Sequence, residues 1–486
     1  MTLAQKLLIG ATAFWFCAAG TASAQASADA GQAARISRIE RNLPPAVIIQ
    51  GRTAPGRSLA EAMRAAGVPG LSVTVIEDGR IAWSRQYGVT QSGGAAVRRE
   101  TRFQAGSISK PVTSLGAMAL VETGAISLEV DINTRLDDWR LPIDETAAGA
   151  PVTLSALLSH TAGTTVHGFP GYRTDQAIPT LRQVLDGAPP ANTAAVRVVS
   201  RPGETWRYSG GGYEVVQQVI EEVTGAPFPV WMTESVFGPA GMTHSGYEQR
   251  IPAADPDHAM PHDGQGALIE AGPYIYPEQA AAGLWSTPED LARALTGIQR
   301  ALSGAEGDAA RESARLMLTE VKPGRALGFD IGGPAGRRWF SKSGDTEGFG
   351  AFMVAFQSGD GAVVMANGAN GAALAQEVVR GIATAYDWEA FRSRERAAVT
   401  LTGAQMSRLE GRYRYREIGE FTVRMIDGRL TLSSPGEDPE PAYAASAHEL
   451  FGLGQDVSFV FESEGAPAQG GHIEMGANRL PFHRIE

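Results

Sequence analysis

Cysteine is almost missing from this 486-residue chain: the one present, Cys17, lies in an apolar N-terminal stretch. Residues 1–24 read as an export signal. Lys6 forms a positive start, Leu7 to Ala19 an apolar run, and Ala22-Ser23-Ala24 a small-residue cleavage site. The bulky Phe14-Trp15-Phe16 before Cys17 argues against a lipidation site. The mature chain is then expected to hold no thiol, which excludes disulfides, thiol catalysis and cysteine-based metal sites. The apolar run is too short for a transmembrane helix, so membrane contact is expected only through an uncleaved signal. The expected location is periplasmic or secreted.

Lysine is scarce as well. Four lysines (Lys6, Lys110, Lys322 and Lys342) stand against 38 arginines. The formal net charge is −11, and the arginines are scattered, with Arg392-Ser393-Arg394-Glu395-Arg396 the nearest thing to a basic cluster. A chain without a basic face is not expected to bind nucleic acid. Metal ligation is also not expected: His258 and His262 are four apart, but no third ligand follows at a recognisable spacing. No cofactor motif is present, no Gly-x-Ser-x-Gly elbow announces a Ser-His-Asp triad, and the oligomeric state is left open.

A hydrophobic content of 43% is enough for two domains. Residues 25–57 form an N-terminal extension, expected to be loosely held. From residue 58 to about 395 strand signals lie at both ends and helical signals between them. Leu71 to Ile76, an Asp78-Gly79 turn and Ile81 to Tyr87 read as a hairpin. Short apolar runs near Leu327, Phe340, Ala351 and Val363 read as further strands. The fold class expected is α+β: one antiparallel sheet with strands from both sequence ends, flanked by helices, with a helical insertion. Residues 400–486 read as a small all-β, barrel-like domain.

Three motifs carry chemistry. Ser107-Ile108-Ser109-Lys110 places a hydroxyl and an amine three residues apart, on one face if helical. A serine hydroxyl is a weak nucleophile until a neighbour takes its proton. A buried lysine can do that and an arginine cannot. Tyr208 precedes the glycine run Gly210-Gly211-Gly212, and a phenol beside an ammonium is a proton carrier. Lys342-Ser343-Gly344-Asp345 lies on an expected strand, where the ammonium and hydroxyl can meet a carboxylate, Gly344 allows close approach, and a backbone N–H can serve an oxyanion. Two of the three lysines beyond the signal thus fall in motif positions.

In this order, with 101 and 134 residues between the anchors, the set resembles the serine hydrolases of the penicillin-binding protein and class C β-lactamase superfamily. Leu157 to Gly163 and Gly283 to Pro288 also look like segments of it, and residues 400–486 look like the lipocalin-like tail some members carry. The resemblance implies that Ser107 forms an acyl-enzyme, that Lys110 and Tyr208 move its proton, with the base between them left open, and that the N–H groups of Ser107 and Asp345 hold the oxyanion. The implied substrate is a small molecule, an ester or a peptide. The chain departs from the pattern at Gly210, where the superfamily has an asparagine that binds the substrate amide. That departure turns the expectation from β-lactams toward esters or other amides. The rival expectation is a cell-envelope binding protein with little turnover.

Overall fold

The computed structural model describes residues 29–53, 56–251, 255, 257–415, 419–436, 438–462, 467–475 and 478–485. The expected signal, with Lys6 and Cys17, lies outside them. Among the described residues no helix is long and apolar enough to cross a membrane. The chain divides into two compact units: residues 61–379, and residues 380–486 together with those up to 60.

The first unit is built on a six-stranded antiparallel sheet. Its order is Arg80–Gly88, Gly70–Glu77, Gly361–Ala366, Phe349–Phe356, Trp339–Thr346 and Asp330–Gly332. The early strand Gly70–Glu77 pairs with the late strand Gly361–Ala366 (Leu71 opposite Ala366), so the sheet joins both sequence ends of the unit. Phe349–Phe356 and Gly361–Ala366 are buried at every position, as central strands covered on both faces are. Helix Pro288–Ser303 opens with Thr287 capping the Asp290 N–H and proline in its first turn, and closes on left-handed Gly304. The helical insertion lies between the two groups of strands. Its helix Gly210–Thr224 carries the apolar positions Tyr213, Val216, Val219 and Ile220 into the core. Ser209 is its N-cap, accepting from the Gly212 N–H, and Gly225 its left-handed end. One apolar core joins these parts, including Phe103, Ile108, Tyr213, Phe228, Trp285 and Phe340.

The second unit holds a nine-stranded antiparallel sheet. Its two end strands, Glu440–Pro441 and Tyr443–Ser446, are separated only by Ala442, so the sheet nearly closes into a barrel. Four of the nine strands are missing from the sequence pattern, because Glu440–Pro441, Tyr443–Ser446 and Glu449–Phe451 are short and Asn478–Arg484 carries a proline. Tyr413, Phe421, Phe461 and Phe482 fill the interior, with neighbouring rings 5.0–5.4 Å apart. The extension is less loose than its composition suggests. Val47–Ile49 pairs in parallel with Arg394–Arg396, and Val47 and Ile49 pack with Phe451.

Candidate active site

Ser107 sits on a short 3₁₀ turn, Gly106–Ile108, that runs directly into helix Ser109–Glu122. The serine is therefore just outside the helix, and Lys110 is its second residue. The turn is pinned from below. The Ser109 hydroxyl donates to Gly106 O (2.6 Å) and accepts from the Leu284 N–H (3.1 Å), and the Ala105 N–H donates to Leu284 O. It is pinned from the side by the strand Trp339–Thr346. A Cβ on Gly344 would come within 2.0 Å of Ala105 O, and one on Gly106 within 2.6–2.8 Å of the Asp345 backbone. Glycine at both places brings the serine turn and the Lys342-Ser343-Gly344-Asp345 strand into backbone contact.

Lys110 is buried, and its ammonium reaches two oxygens: Ser107 Oγ at 3.2 Å and Ala281 O at 2.9 Å. The Tyr208 hydroxyl donates to the same Ser107 Oγ at 2.8 Å. Lys110 Nζ lies 4.9 Å from the Tyr208 ring centre and Lys342 Nζ 4.8 Å. Ser107, Lys110, Tyr208 and Lys342 thus meet in one place, with Ser343 half-buried and Asp345 exposed on the adjoining strand.

The electrostatics follow from burial and the two ammonium groups. Burial lowers the Lys110 pKa below the usual lysine range, Lys342 pushes the same way, and Tyr208 offsets part of the fall. For Tyr208, burial alone would raise the phenol. The charges of Lys110 and Lys342, with the hydrogen bond to Ser107, overcome it and bring the pKa down to about 8. Both groups that touch the serine hydroxyl are therefore easier to deprotonate than in water.

Two residues outside the motifs belong to this arrangement. His160 holds backbone: its Nδ1 accepts from the Ser209 N–H (3.2 Å), and its carbonyl from the Arg207 N–H (2.8 Å). Its ring also lies 4.3 Å from that of Tyr208, so it grips the tyrosine from both neighbouring residues and from its face. Burial, then Lys342, Lys110 and Arg325, hold His160 well below its ordinary pKa, and the neutral ring can keep Nδ1 as an acceptor. Glu214 is fully buried on helix Gly210–Thr224, where its Oε1 accepts from the Ala281 N–H at 3.0 Å. The same Ala281 presents its carbonyl to Lys110, so Glu214 steadies the peptide that orients the lysine. Burial, and then Glu278, raise the Glu214 carboxyl well above its usual range. Burial also raises Glu278, to about 7. An acid inside the stripe Tyr213, Val216, Val219, Ile220 was the available sequence signal for Glu214.

The absent asparagine has a structural counterpart. A Cβ on Gly210 would come 2.9 Å from the Phe169 ring. The place a side chain would take is already filled, and Ala281 O is the acceptor that orders Lys110. The histidines weighed as ligands have other partners. His262 Nε2 accepts from the Ser92 N–H and its Nδ1 meets Asn367 O, while His258 packs edge-on against Trp285. Among the described residues no group of three or more His, Cys, Asp or Glu could hold a metal ion.

Comparison with known proteins points to a family and a fold. The family model described as Beta-lactamase matches residues 57–387. Protein Rv1367c of Mycobacterium tuberculosis is 32% identical over 262 residues, which is 47% of this chain and 61% of that protein, so the match spans about three fifths of the relative. Esterase EstB of Burkholderia gladioli is 26% identical over 308 residues, 55% of this chain and 76% of the esterase. Among solved structures, the octameric penicillin-binding protein homologue from Pyrococcus abyssi superposes with a TM-score of 0.60 at 22% identity, covering 87% of this chain and 98% of that one. The D-alanine carboxypeptidase AmpC from Burkholderia cenocepacia gives 0.51 at 20% identity, covering 66% and 96%. At such identities the structural matches establish the fold.

Proposed function

The chain belongs to the Beta-lactamase family and is of the serine hydrolase kind, and from that premise we propose that it is an exported esterase working through an acyl-enzyme on Ser107. The observation that carries the reading is the convergence of Lys110 Nζ and Tyr208 OH on one serine oxygen, at 3.2 and 2.8 Å. As Ser107 Oγ attacks the ester carbonyl, its proton passes to the Tyr208–Lys110 pair, and the lowered pKa of each favours that role. The carbonyl oxygen becomes an oxyanion, held by the N–H groups of Ser107 and Asp345, which the glycine contacts bring together. The pair then returns the proton to the departing alkoxide as the C–O bond breaks. Water, deprotonated by the same pair, attacks the acyl-enzyme and releases the acid and free Ser107.

The preference for esters rests on Gly210 and Phe169. A carboxamide that would bind a substrate amide is absent, and an aromatic ring fills its place. Alkoxides also leave with less help from a proton donor than amines do. Lys342 and Ser343 can receive a carboxylate on the substrate, which keeps small D-peptide-like substrates as a secondary class. The N-terminal 24 residues support a periplasmic or secreted site of action.

The test is labelling by a fluorophosphonate and hydrolysis of p-nitrophenyl butyrate, wild type beside Ser107→Ala. The reading expects both in the wild type and neither in the variant. Absence of Ser107-dependent labelling and turnover would leave a binding protein as the better description. Ready hydrolysis of nitrocefin would move the assignment to a β-lactamase.

A further inference from the structure

The segment Thr165–Phe169 is held against the start of helix Gly210–Thr224 by a dense set of bonds. The Gly210 N–H donates to His167 O (3.0 Å) and the Gly211 N–H to Val166 O (3.1 Å). The Ser209 hydroxyl donates to Thr165 O (2.6 Å), while Thr165 itself binds Arg197 O through its N–H and Ala195 O through its hydroxyl. The approach requires the glycine run. A Cβ on Gly211 would come 2.8 Å from Thr165 O, one on Gly212 2.9 Å from Thr164 Oγ1, and one on Gly210 2.9 Å from the Phe169 ring. Val166 is held at φ +61°, a left-handed conformation in which a β-branched residue is strained. The helix N-terminus is therefore occupied by the chain's own carbonyls and is not free to bind an anion.

This clamp presents two rings beside the catalytic tyrosine. The exposed His167 ring lies 5.0 Å from that of Tyr208, and half-buried Phe169 stands over Gly210, two residues beyond Tyr208. We infer that Phe169 is the specificity-determining residue of the acyl pocket, where its core-packed ring limits the substrate to short, apolar acyl groups. The inference rests on the esterase reading and names its substrate class. A ring packed against the core beside this clamp leaves little room for a longer chain, and it offers no hydrogen bond to a polar acyl group. The Tyr208 hydroxyl and Lys110 are untouched by it, so Phe169 governs which ester enters and not how the serine is activated.

The test compares p-nitrophenyl acetate, butyrate and octanoate on wild type, Phe169→Leu and Phe169→Ala, with active enzyme counted by fluorophosphonate labelling. The expected result is a rise of roughly tenfold or more in the octanoate-to-acetate ratio of kcat/KM for Phe169→Ala, carried mainly by KM, with Phe169→Leu in between. A second arm uses Gly210→Ala, expected to lose activity in the wild-type background and to recover it when combined with Phe169→Ala, because the new methyl group and the ring claim one space. An unchanged acyl ratio in both Phe169 variants, with labelling intact, overturns the inference and leaves the esterase reading standing. So does failure of Phe169→Ala to rescue Gly210→Ala. Loss of labelling in the wild type overturns the esterase reading itself.

Discussion

On one side of Tyr208 the serine turn and the strand Trp339–Thr346 meet backbone to backbone, with Gly106 and Gly344 leaving no atom between them. On the other side the loop Thr165–Phe169 also rests on glycines, but what it brings there is side chains, the His167 ring beside Tyr208 and the Phe169 ring over Gly210. The first contact fixes the atoms that react, and backbone cannot yield without moving the serine. The second fixes the space beside them, and a side chain there can be resized while the serine, lysine and tyrosine stay in place. Chemistry and selectivity are thus held by different kinds of contact within one unit. The nine-stranded sheet of the other unit uses rings in a third way, as filling: Tyr413 stacks on Phe421, and its hydroxyl is bonded to Leu409 O at 2.9 Å.

The contrast can be broken most sharply at the proton path. Lys110→Met should lower kcat by about 10³-fold with little change in KM, since the lysine acts in the transition state. On the same path, kcat/KM in the wild type should rise with pH through a limb near 8, the value to which Tyr208 is brought, because a base works deprotonated. Tyr208→Phe should remove that limb along with most of the activity. A limb that survives in Tyr208→Phe would assign it to another group.

The next largest effect is expected where backbone meets backbone. Gly344→Ala drives a methyl group into Ala105 O, and should cost about 3 kcal/mol or more in denaturant unfolding while abolishing labelling of Ser107. If the variant folds and labels normally, the contact is softer than the geometry implies, and the contrast with Phe169 weakens.

A pH effect on stability comes third. Burial raises Glu278 to about 7 from an ordinary 4.5, so the folded state holds a proton between these values that the unfolded chain has released. Stability should therefore be greatest in acid and fall as pH rises from about 4.5 through 7, by on the order of 3 kcal/mol from this residue. Glu278→Gln, an uncharged match in shape, should flatten that decline in unfolding curves taken at pH 5 and pH 8. The smallest effect belongs to the filled sheet. Tyr413→Phe removes two hydrogen bonds, one donated to Leu409 O and one accepted from Arg484, should lower stability by about 1–2 kcal/mol and should leave kcat at the wild-type value.

Much of the fold class was legible because hydrophobic alternation, turn glycines and capping residues are local signals. The hairpin at Asp78-Gly79 and the cap at Thr287 needed nothing from distant residues. Ser107, Lys110, Tyr208 and Lys342 stood out for a chemical reason. A chain that uses arginine almost everywhere places lysine where a proton must be released, and the residues around it have matching chemistry. The place of His160 is not legible, because nothing in Leu158-Ser159-His160 reveals that its ring will lie on a tyrosine 48 residues away. Glu214 and Phe169 carry no motif at all. Each acts through one contact, with the Ala281 N–H and with the space above Gly210, that exists only once helix Gly210–Thr224 has been packed.

By itself, then, the sequence determined which atoms can react: a serine hydroxyl, two amines and a phenol, whose reactivity belongs to their chemical types. It also determined the strands and helices that bear them, since those follow from local periodicity. The tertiary structure decided how easily each gives up its proton, because that depends on burial and on charges brought from distant parts of the chain. It also decided what stands where an asparagine does not, because the neighbour of Gly210 is set by the path of a distant loop.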